Sequence, residues 1–416
     1  MAGLILAGEA IYALPFHLAR YFRPTMLEVY DVTATELGGA QAVYGVVAML
    51  AYFPGGPLAD RFSARKLMAC SLWTTALGGL YLATFPDYGG MMLLWGLFGV
   101  TTILLFWAAL IRATRDWGSA DSQGRAFGIL DGGRGALAAL LATIGVMSLN
   151  LAFPDGYQAA SAAERADALR DVIYGYTIAT ALAGVFVWFA LTDEPPRGDP
   201  VIKPADRPSA VSNILTVIRL PGVWLQAIIV ICAYVGFKGI DNYTLFAVQA
   251  YAVDPVRAAD IVADSSWLRP VAAIAAGFIG DRYSIPRIIV AAFAILFACQ
   301  LLFALHTPIP DTTLVLVGNI MLSSVVVFAL RGLYYAIMDH ARVPLAATGT
   351  AVGLVSVIGY TPDVFIYVVA GVLIDANPGL TGHQHYFMFL SVFAGLGAIA
   401  TVAFMRVTAK KHPVPD

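Results

Sequence analysis

The sequence predicts an all-α integral membrane protein of twelve transmembrane helices in two pseudo-symmetric six-helix bundles. Three observations predict it. The 416-residue chain is 59% hydrophobic and only 12% charged, about half the charged fraction of a soluble domain, and its mean hydropathy is +0.76. Apolar segments recur along its whole length, each long enough to cross about 30 Å of hydrocarbon. One charged stretch between two such segments returns, without a gap, 221 residues later.

The segments run roughly over 3–29, 36–59, 66–85, 90–111, 125–151, 171–192, 219–250, 257–280, 287–306, 312–338, 345–375 and 384–407. The longer ones are expected to tilt or kink, the first at Pro15 and Pro24. Basic residues decide the orientation. Arg61, Arg65, Lys66, Arg112, Arg115, Arg125, Arg197, Lys203, Arg207, Arg219, Arg282, Arg287, Arg342, Arg406, Lys410 and Lys411 fall on one side, and only Arg165, Arg170 and Arg257 on the other. Both termini are therefore expected in the cytoplasm. The Pro-rich polar stretch 193–218 reads as a cytoplasmic linker between bundles 1–192 and 219–416. In the outer loop 154–170, Ser161-Ala162-Ala163-Glu164 has capping-box form. It predicts a short helix lying on the outer surface. Cys70, Cys232 and Cys299 sit in apolar runs and form neither a disulfide framework nor a metal spacing. The first apolar run lacks a basic start, so no cleavable signal is expected. A net charge of −2 gives no bulk attraction to nucleic acid.

The repeated stretch is Gly56-Pro57-Leu58-Ala59-Asp60-Arg61-Phe62-Ser63-Ala64-Arg65-Lys66. A shift of 221 carries Gly56 to Gly277, Asp60 to Asp281, Arg61 to Arg282, Phe62 to Tyr283 and Ser63 to Ser284. Parallel halves of this kind are typical of secondary transporters. The stretch resembles the signature loop of the major facilitator superfamily, Gly-x-Leu-Ala-Asp-Arg-x-Gly-Arg-Lys between helices 2 and 3, with its weaker echo between helices 8 and 9. Ser63 and Ala64 depart from the family's Gly and Arg, and Pro286 stands at a usually basic position. The resemblance implies the major facilitator fold and transport by alternating access, the halves rocking about a central site. It also implies that Asp60, Arg61, Arg65, Asp281 and Arg282 help latch one closed state.

Charges inside the apolar segments point to the site. An ionised group in the bilayer costs at least about 2.5–3.5 kcal/mol and usually faces a water-filled cavity or a partner. At about 100° per residue, Glu9, Phe16, Arg20 and Arg23 share a stripe of helix 1, with His17 at its edge. Two guanidiniums on one stripe make a fork for carboxylate, sulfonate or phosphate. The repeat takes His17 to Lys238 and Arg20 to Asp241, which stand three apart after Tyr234. They are expected to be neighbours on helix 7. By the resemblance, helices 1 and 7 both line the central cavity. Asp131 and Arg134 are a second such pair, read as structural or gating. Trp267 and Arg269 on helix 8 have no symmetric counterpart and lean toward substrate. Arg331 on helix 10 either lines the vestibule and pairs with Asp339 or contacts substrate. Tyr12, Tyr44, Tyr52, Tyr234 and Tyr243 supply aromatic surface with a polar tip.

Arg20, Lys238, Asp241, Arg269, Tyr234, His17, Arg23 and Trp267 are thus the candidate substrate residues. Glu9, Asp131 and Asp363 are the candidate proton carriers, and Asp60, Arg61, Arg65, Asp281, Arg282 and Arg134 the candidate gates. Excess arginine favours a small organic anion, and buried carboxylates allow proton symport. Export of amphipathic compounds, anion exchange, a channel and a receptor are the alternatives. No His-Glu-x-x-His or Gly-x-Ser-x-Gly marks an enzyme, and the Gly-rich run 132–135 lacks a phosphate-loop Lys. The expected partners are an anionic solute, protons and the lipid bilayer. The chain is expected to be a monomer of a bacterial inner membrane, with no cofactor.

Overall fold

The computed structural model describes residues 1–118, 123–192, 210–308, 313–341, 343 and 348–409. Helices make up nearly all of it, with no strand among the described residues. In chain order they are α1 Ala2–Ala10, α2 Leu18–Tyr21, α3 Arg23–Val29, α4 Ala34–Arg61, α5 Ala64–Leu82, α6 Tyr88–Gly99, α7 Ala108–Trp117, α8 Gln123–Ala152, α9 Ala162–Ala190, α10 Ala210–Ile218, α11 Pro221–Gly239, α12 Tyr243–Tyr251, α13 Pro255–Ser266, α14 Leu268–Arg282, α15 Ile285–Leu305, α16 Thr313–Leu333, α17 Thr348–Gly359, α18 Pro362–Ala376 and α19 Leu380–Ala409. Nine helical runs among the described residues are long and apolar enough to cross a bilayer, and ten with the bent pair Ala2–Ala10 and Ala13–Tyr21. Two further predicted segments are helical but less uniformly apolar. α5 opens on Arg65 and Lys66, and the α13–α14 run breaks at Trp267 and carries Arg257, Asp260, Asp264 and Arg269.

The predicted kink of the first segment falls where proline puts it. Wide π-type turns over Ala13–His17 surround Pro15, the axis bends by 41°, and Pro24 opens α3. A second wide stretch, Val100–Trp107, joins α6 to α7 without any proline to announce it. The Ser161–Glu164 capping box forms as expected, but the surface helix does not. Nothing in the Ala-rich sequence after it breaks the helix, so the box caps α9 itself. Cys232 and Cys299 are buried, whereas Cys70 is exposed on α5. Part of the proposed linker, 193–209, lies outside the described residues, and its end forms α10.

Turns 62–63 and 283–284 mark one end of the bundle, called here the near end. Turns 30–33 and 252–254 mark the far end. From the far end to the middle of the bundle α4 packs along α18 at backbone contact. A Cβ on Gly45 would stand 2.3 Å from the Asp363 carbonyl oxygen, and one on Gly371 would stand 2.4 Å from Thr35 Cα. Only glycine permits that approach. Asp375 at the end of α18 accepts from Thr35 N at 2.7 Å and from Thr35 Oγ1 at 2.5 Å, so it caps the first turn of α4. Gly45→Trp is expected to hold α4 and α18 apart. A cysteine placed at buried Thr244, in a chain lacking its native cysteines, should then react with a membrane-impermeant maleimide at least tenfold faster than without the tryptophan.

Candidate functional site

The charges stranded in the apolar segments converge midway through the bundle. α1, the wide turn after it and α2 deliver Glu9, Tyr12, Phe16, His17 and Arg20. α4 gives Tyr44 and Tyr52, and α8 gives Arg134. α11 gives Tyr234, Phe237 and Lys238, α14 gives Arg269, and α16 gives Arg331. Tyr360 and Asp363 come from the start of α18 and the turn before it. Together with Ile103 and Trp107 they enclose a cavity of about 110 Å³. A larger space of about 610 Å³ shares Trp107, Arg134, Arg331 and Tyr360 with it and runs past Asp131 and Gly277 toward the near end. The site therefore faces the near end, and the α4–α18 seam closes it off from the far end.

Three ion-pair clusters hold the walls. Glu9 gathers three partners: the His17 imidazole, with Nε2 at 3.1 Å, and two guanidiniums, Arg134 with Nε at 3.1 Å and Arg269 with Nη1 at 3.5 Å. Arg269 reaches on with Nη2 to Asp131 at 3.2 Å, and Arg134 Nε also donates to the Gly8 carbonyl at 2.9 Å. In the second cluster Arg20 Nε donates to Asp241 Oδ1 at 2.5 Å while the Tyr367 hydroxyl donates to Oδ2 at 2.8 Å. In the third, Lys238 Nζ lies 2.9 Å from Asp363 Oδ1 and the Tyr234 hydroxyl donates to Oδ2 at 2.9 Å. Lys238 Nζ also sits 3.9 Å above the centre of the Phe16 ring. A tyrosine hydroxyl thus occupies the second oxygen of both aspartates, which offsets part of the cost of burying them.

These pairings differ from those expected along single helices. Lys238 and Asp241 do not pair with each other, and neither do Asp131 and Arg134. A local i, i+3 pair is worth a few tenths of a kcal/mol. A buried charge gains more from a partner on another helix that leaves no lone pair unmet. The Arg20–Asp241 pair joins two positions 221 residues apart, which is the repeat offset. A residue that touches its own repeat mate lies beside the axis relating the two repeats.

Five cations, Arg20, Arg134, Lys238, Arg269 and Arg331, thus face four carboxylates, Glu9, Asp131, Asp241 and Asp363. Arg331 is the one left over. Its guanidinium stacks 3.9 Å from the Phe237 ring centre and makes no ion pair among the described residues. The side chain of Asp339, its suggested partner, lies outside them.

Of the other candidate substrate residues, Arg23 is fully buried away from the cavity, where it donates to Gln41 at 3.2 Å. Trp267 is 44% exposed and donates to Thr143 on the outside of the bundle. Asp241 stands behind Arg20 rather than on the cavity wall, and Tyr243 is tied to Ser323. Among the candidate gates, Arg61 and Arg282 are exposed at the near ends of α4 and α14, and Arg65 stacks 4.8 Å over Trp188. The side chains of Asp60 and Asp281 lie outside the described residues. Arg134 lines the cavity itself. Phe237 and Trp107 are wall residues that no charge marked in the sequence.

A sequence model of the Major Facilitator Superfamily matches the chain over residues 5–365. The chain belongs to the Major Facilitator Superfamily. It is a multi-pass membrane transporter and not an enzyme, as the signature loop and its echo implied. Two Escherichia coli proteins of similar length are 28% identical to it. Inner membrane protein YihN matches over 98% of this chain and 95% of its own. Inner membrane protein YqcE matches over 97% and 93%. The major facilitator fold is shared with a crystal structure of a bacterial homologue of the human lysosomal transporter Spinster, described as inward-facing and unoccupied (TM-score 0.75, 15% identity, 99% of this chain and 98% of that one). It is shared too with a crystal structure of the nucleoside transporter NupG (TM-score 0.68, 15% identity, 99% and 100%).

Proposed function

We propose that this superfamily member is a secondary active transporter of a small organic anion, a sugar acid, other carboxylate or sulfonate, working by alternating access as a proton symporter. The observation that carries the reading is Arg331: a guanidinium on the cavity wall, stacked on Phe237 and free of any ion pair among the described residues. A cation held in a low-dielectric cavity is stabilised by an anion that forks onto it. The bundles 1–192 and 219–416 rock about this point, joined by the linker 193–218. The near end is the cytoplasmic one by the distribution of basic residues, with both termini on that side. The protein acts as a monomer, and its place is a bacterial inner membrane, as the names of its E. coli relatives suggest.

Coupling follows from Glu9 and Asp363. Protonating Glu9 removes the charge that engages Arg134 and Arg269 and frees their donors for a substrate carboxylate or sulfonate. Protonating Asp363 releases Lys238 in the same way. Arg61, Arg65 and Arg282, with Asp60 and Asp281, then help close the near end.

The test is uptake into proteoliposomes of gluconate, glucuronate, lactate and isethionate, with sorbitol and uridine as neutral controls. At least one anion should accumulate when the outside is acidic, and a protonophore should abolish the accumulation. The tyrosine-rich wall supports a second reading, transport of a flat, uncharged aromatic solute of the kind NupG's name describes. Transport of uridine with no response to any anion would establish that reading and overturn ours.

A further inference from the structure

Arg23 is a buried charge that the cavity does not use. It opens α3, one turn beyond Arg20 toward the far end, and it is 0% exposed. α3 packs there against α9 and α12. Its Nη1 donates to Gln41 Oε1 at 3.2 Å, while Nε and Nη2 meet no acceptor. These two nitrogens form one edge of the guanidinium, the two-donor fork that fits the two oxygens of a carboxylate or sulfonate. Gln41 Nε2 has no acceptor either. The carboxylates whose fields act on Arg23 are Asp241 and Asp375. Both are engaged elsewhere, Asp241 by Arg20 and Tyr367 and Asp375 by Thr35. A buried guanidinium without a counter-charge is costly unless another state of the protein uses it.

We infer that Arg23, with the Gln41 amide, is a second anion station on the far side of the Arg20–Asp241 pair. It grips the head group of the transported oxyanion when the far end opens. The inference rests on the anion-transport reading and deepens it. Gln41 holds Nη1 and so fixes the orientation of the fork. Parting α4 from α18 uncovers it, and the arriving anion meets Arg23 before it meets the cavity. Closing the far end buries Arg23 again and leaves Arg331 as the stronger site, so the anion moves inward. A lysine has no fork, so it replaces Arg23 only in charge.

The experiment uses the full chain carrying Gly45→Trp, which holds the far end open, and Arg331→Gln, which removes the cavity anchor. Gluconate and methanesulfonate are titrated calorimetrically, with sodium chloride and sorbitol as controls. The double variant is expected to bind at least one of the two oxyanions. Adding Arg23→Gln should weaken that binding tenfold or more, and adding Arg23→Lys should weaken it at least threefold. With the far end closed and the cavity anchor in place, in the chain carrying neither Gly45→Trp nor Arg331→Gln, Arg23→Gln should change affinity less than twofold. Because Arg23→Gln removes an unmet charge, its Tm in the far-closed chain should be no lower than that of the parent. Unchanged affinity on adding Arg23→Gln would mean that water alone satisfies Arg23, and the station would be overturned while the cavity reading stands. Absence of oxyanion binding in the Gly45→Trp chain with Arg331 intact would overturn both.

Discussion

Replacing Arg331 by glutamine is expected to lower kcat/KM for the transported anion about 30- to 3000-fold. The figure follows from the cost of removing one partner of a desolvated, hydrogen-bonded charge pair, about 2–5 kcal/mol, at 1.4 kcal/mol per decade. Every other cation around the cavity is already committed. Arg20 serves Asp241, Lys238 serves Asp363, Arg134 serves Glu9, and Arg269 divides its donors between Glu9 and Asp131. An anion engaging any of those must displace a carboxylate first, whereas Arg331 gives up only its face-on contact with Phe237. That contact is worth about 0.5–2 kcal/mol, so the variant should lose little stability. Arg331→Lys keeps the charge but not the fork and should fall between parent and glutamine. The check is proteoliposome uptake of the best anion at matched protein density. A loss below threefold, with Arg269→Gln abolishing uptake instead, would move the anchor to Arg269.

How much of this site the sequence disclosed depended on what each residue costs in lipid. Glu9, His17, Arg20, Lys238, Arg269 and Asp363 stood out because an ionised or polar group inside an apolar run needs a reason, and all six line one cavity. Their partners were less visible. Sequence spacing reveals neighbours along one helix, so it sets Lys238 beside Asp241 and Asp131 beside Arg134. The actual partners come from the register between helices, which local spacing does not encode. The repeat held a better clue, because the same shift that aligned the signature loops carried Arg20 onto Asp241. Only a residue beside the symmetry axis meets its own mate, and depth in the bundle is not written in the spacing. Proline disclosed the bend in the first span, while the wide stretch Val100–Trp107 had no such marker and put Trp107 on the cavity wall unannounced. The far-end seam was equally silent, since Gly45 and Gly371 look like any glycine in a membrane helix until α4 and α18 are seen to touch.

The axis position of the Arg20–Asp241 pair makes a second strong expectation. Arg20→Gln alone or Asp241→Asn alone strands a charge that is buried to within 7% or 1% of its side-chain surface. Each should destabilise the far-closed state by about 3–5 kcal/mol. Arg20 stranded by Asp241→Asn retains its stack on Phe237 at 4.8 Å, and Asp241 stranded by Arg20→Gln retains the Tyr367 hydroxyl. Neither is a full counter-charge. The double variant Arg20→Gln with Asp241→Asn leaves no charge to satisfy and should recover more than half of the loss, a coupling visible in a double-mutant cycle of thermal unfolding. The axis adds a sharper demand. A twofold that carries Arg20 onto Asp241 also carries Asp241 onto Arg20, so the exchange Arg20→Asp with Asp241→Arg presents nearly the same pair in the same place. It should restore stability to within about 1–2 kcal/mol of the parent, the remainder being the Tyr367 bond, for which a charge-assisted hydrogen bond is worth about 1.5–3 kcal/mol at most. Both single variants should also favour the far-open state, so the Thr244 cysteine should react faster in each and return toward its slow rate in the exchange. An exchange variant no more stable than the singles would show that the pair depends on its neighbours rather than on the axis. The pair would then be a local fastening of α2 to the turn after α11, and not the point about which the two halves turn.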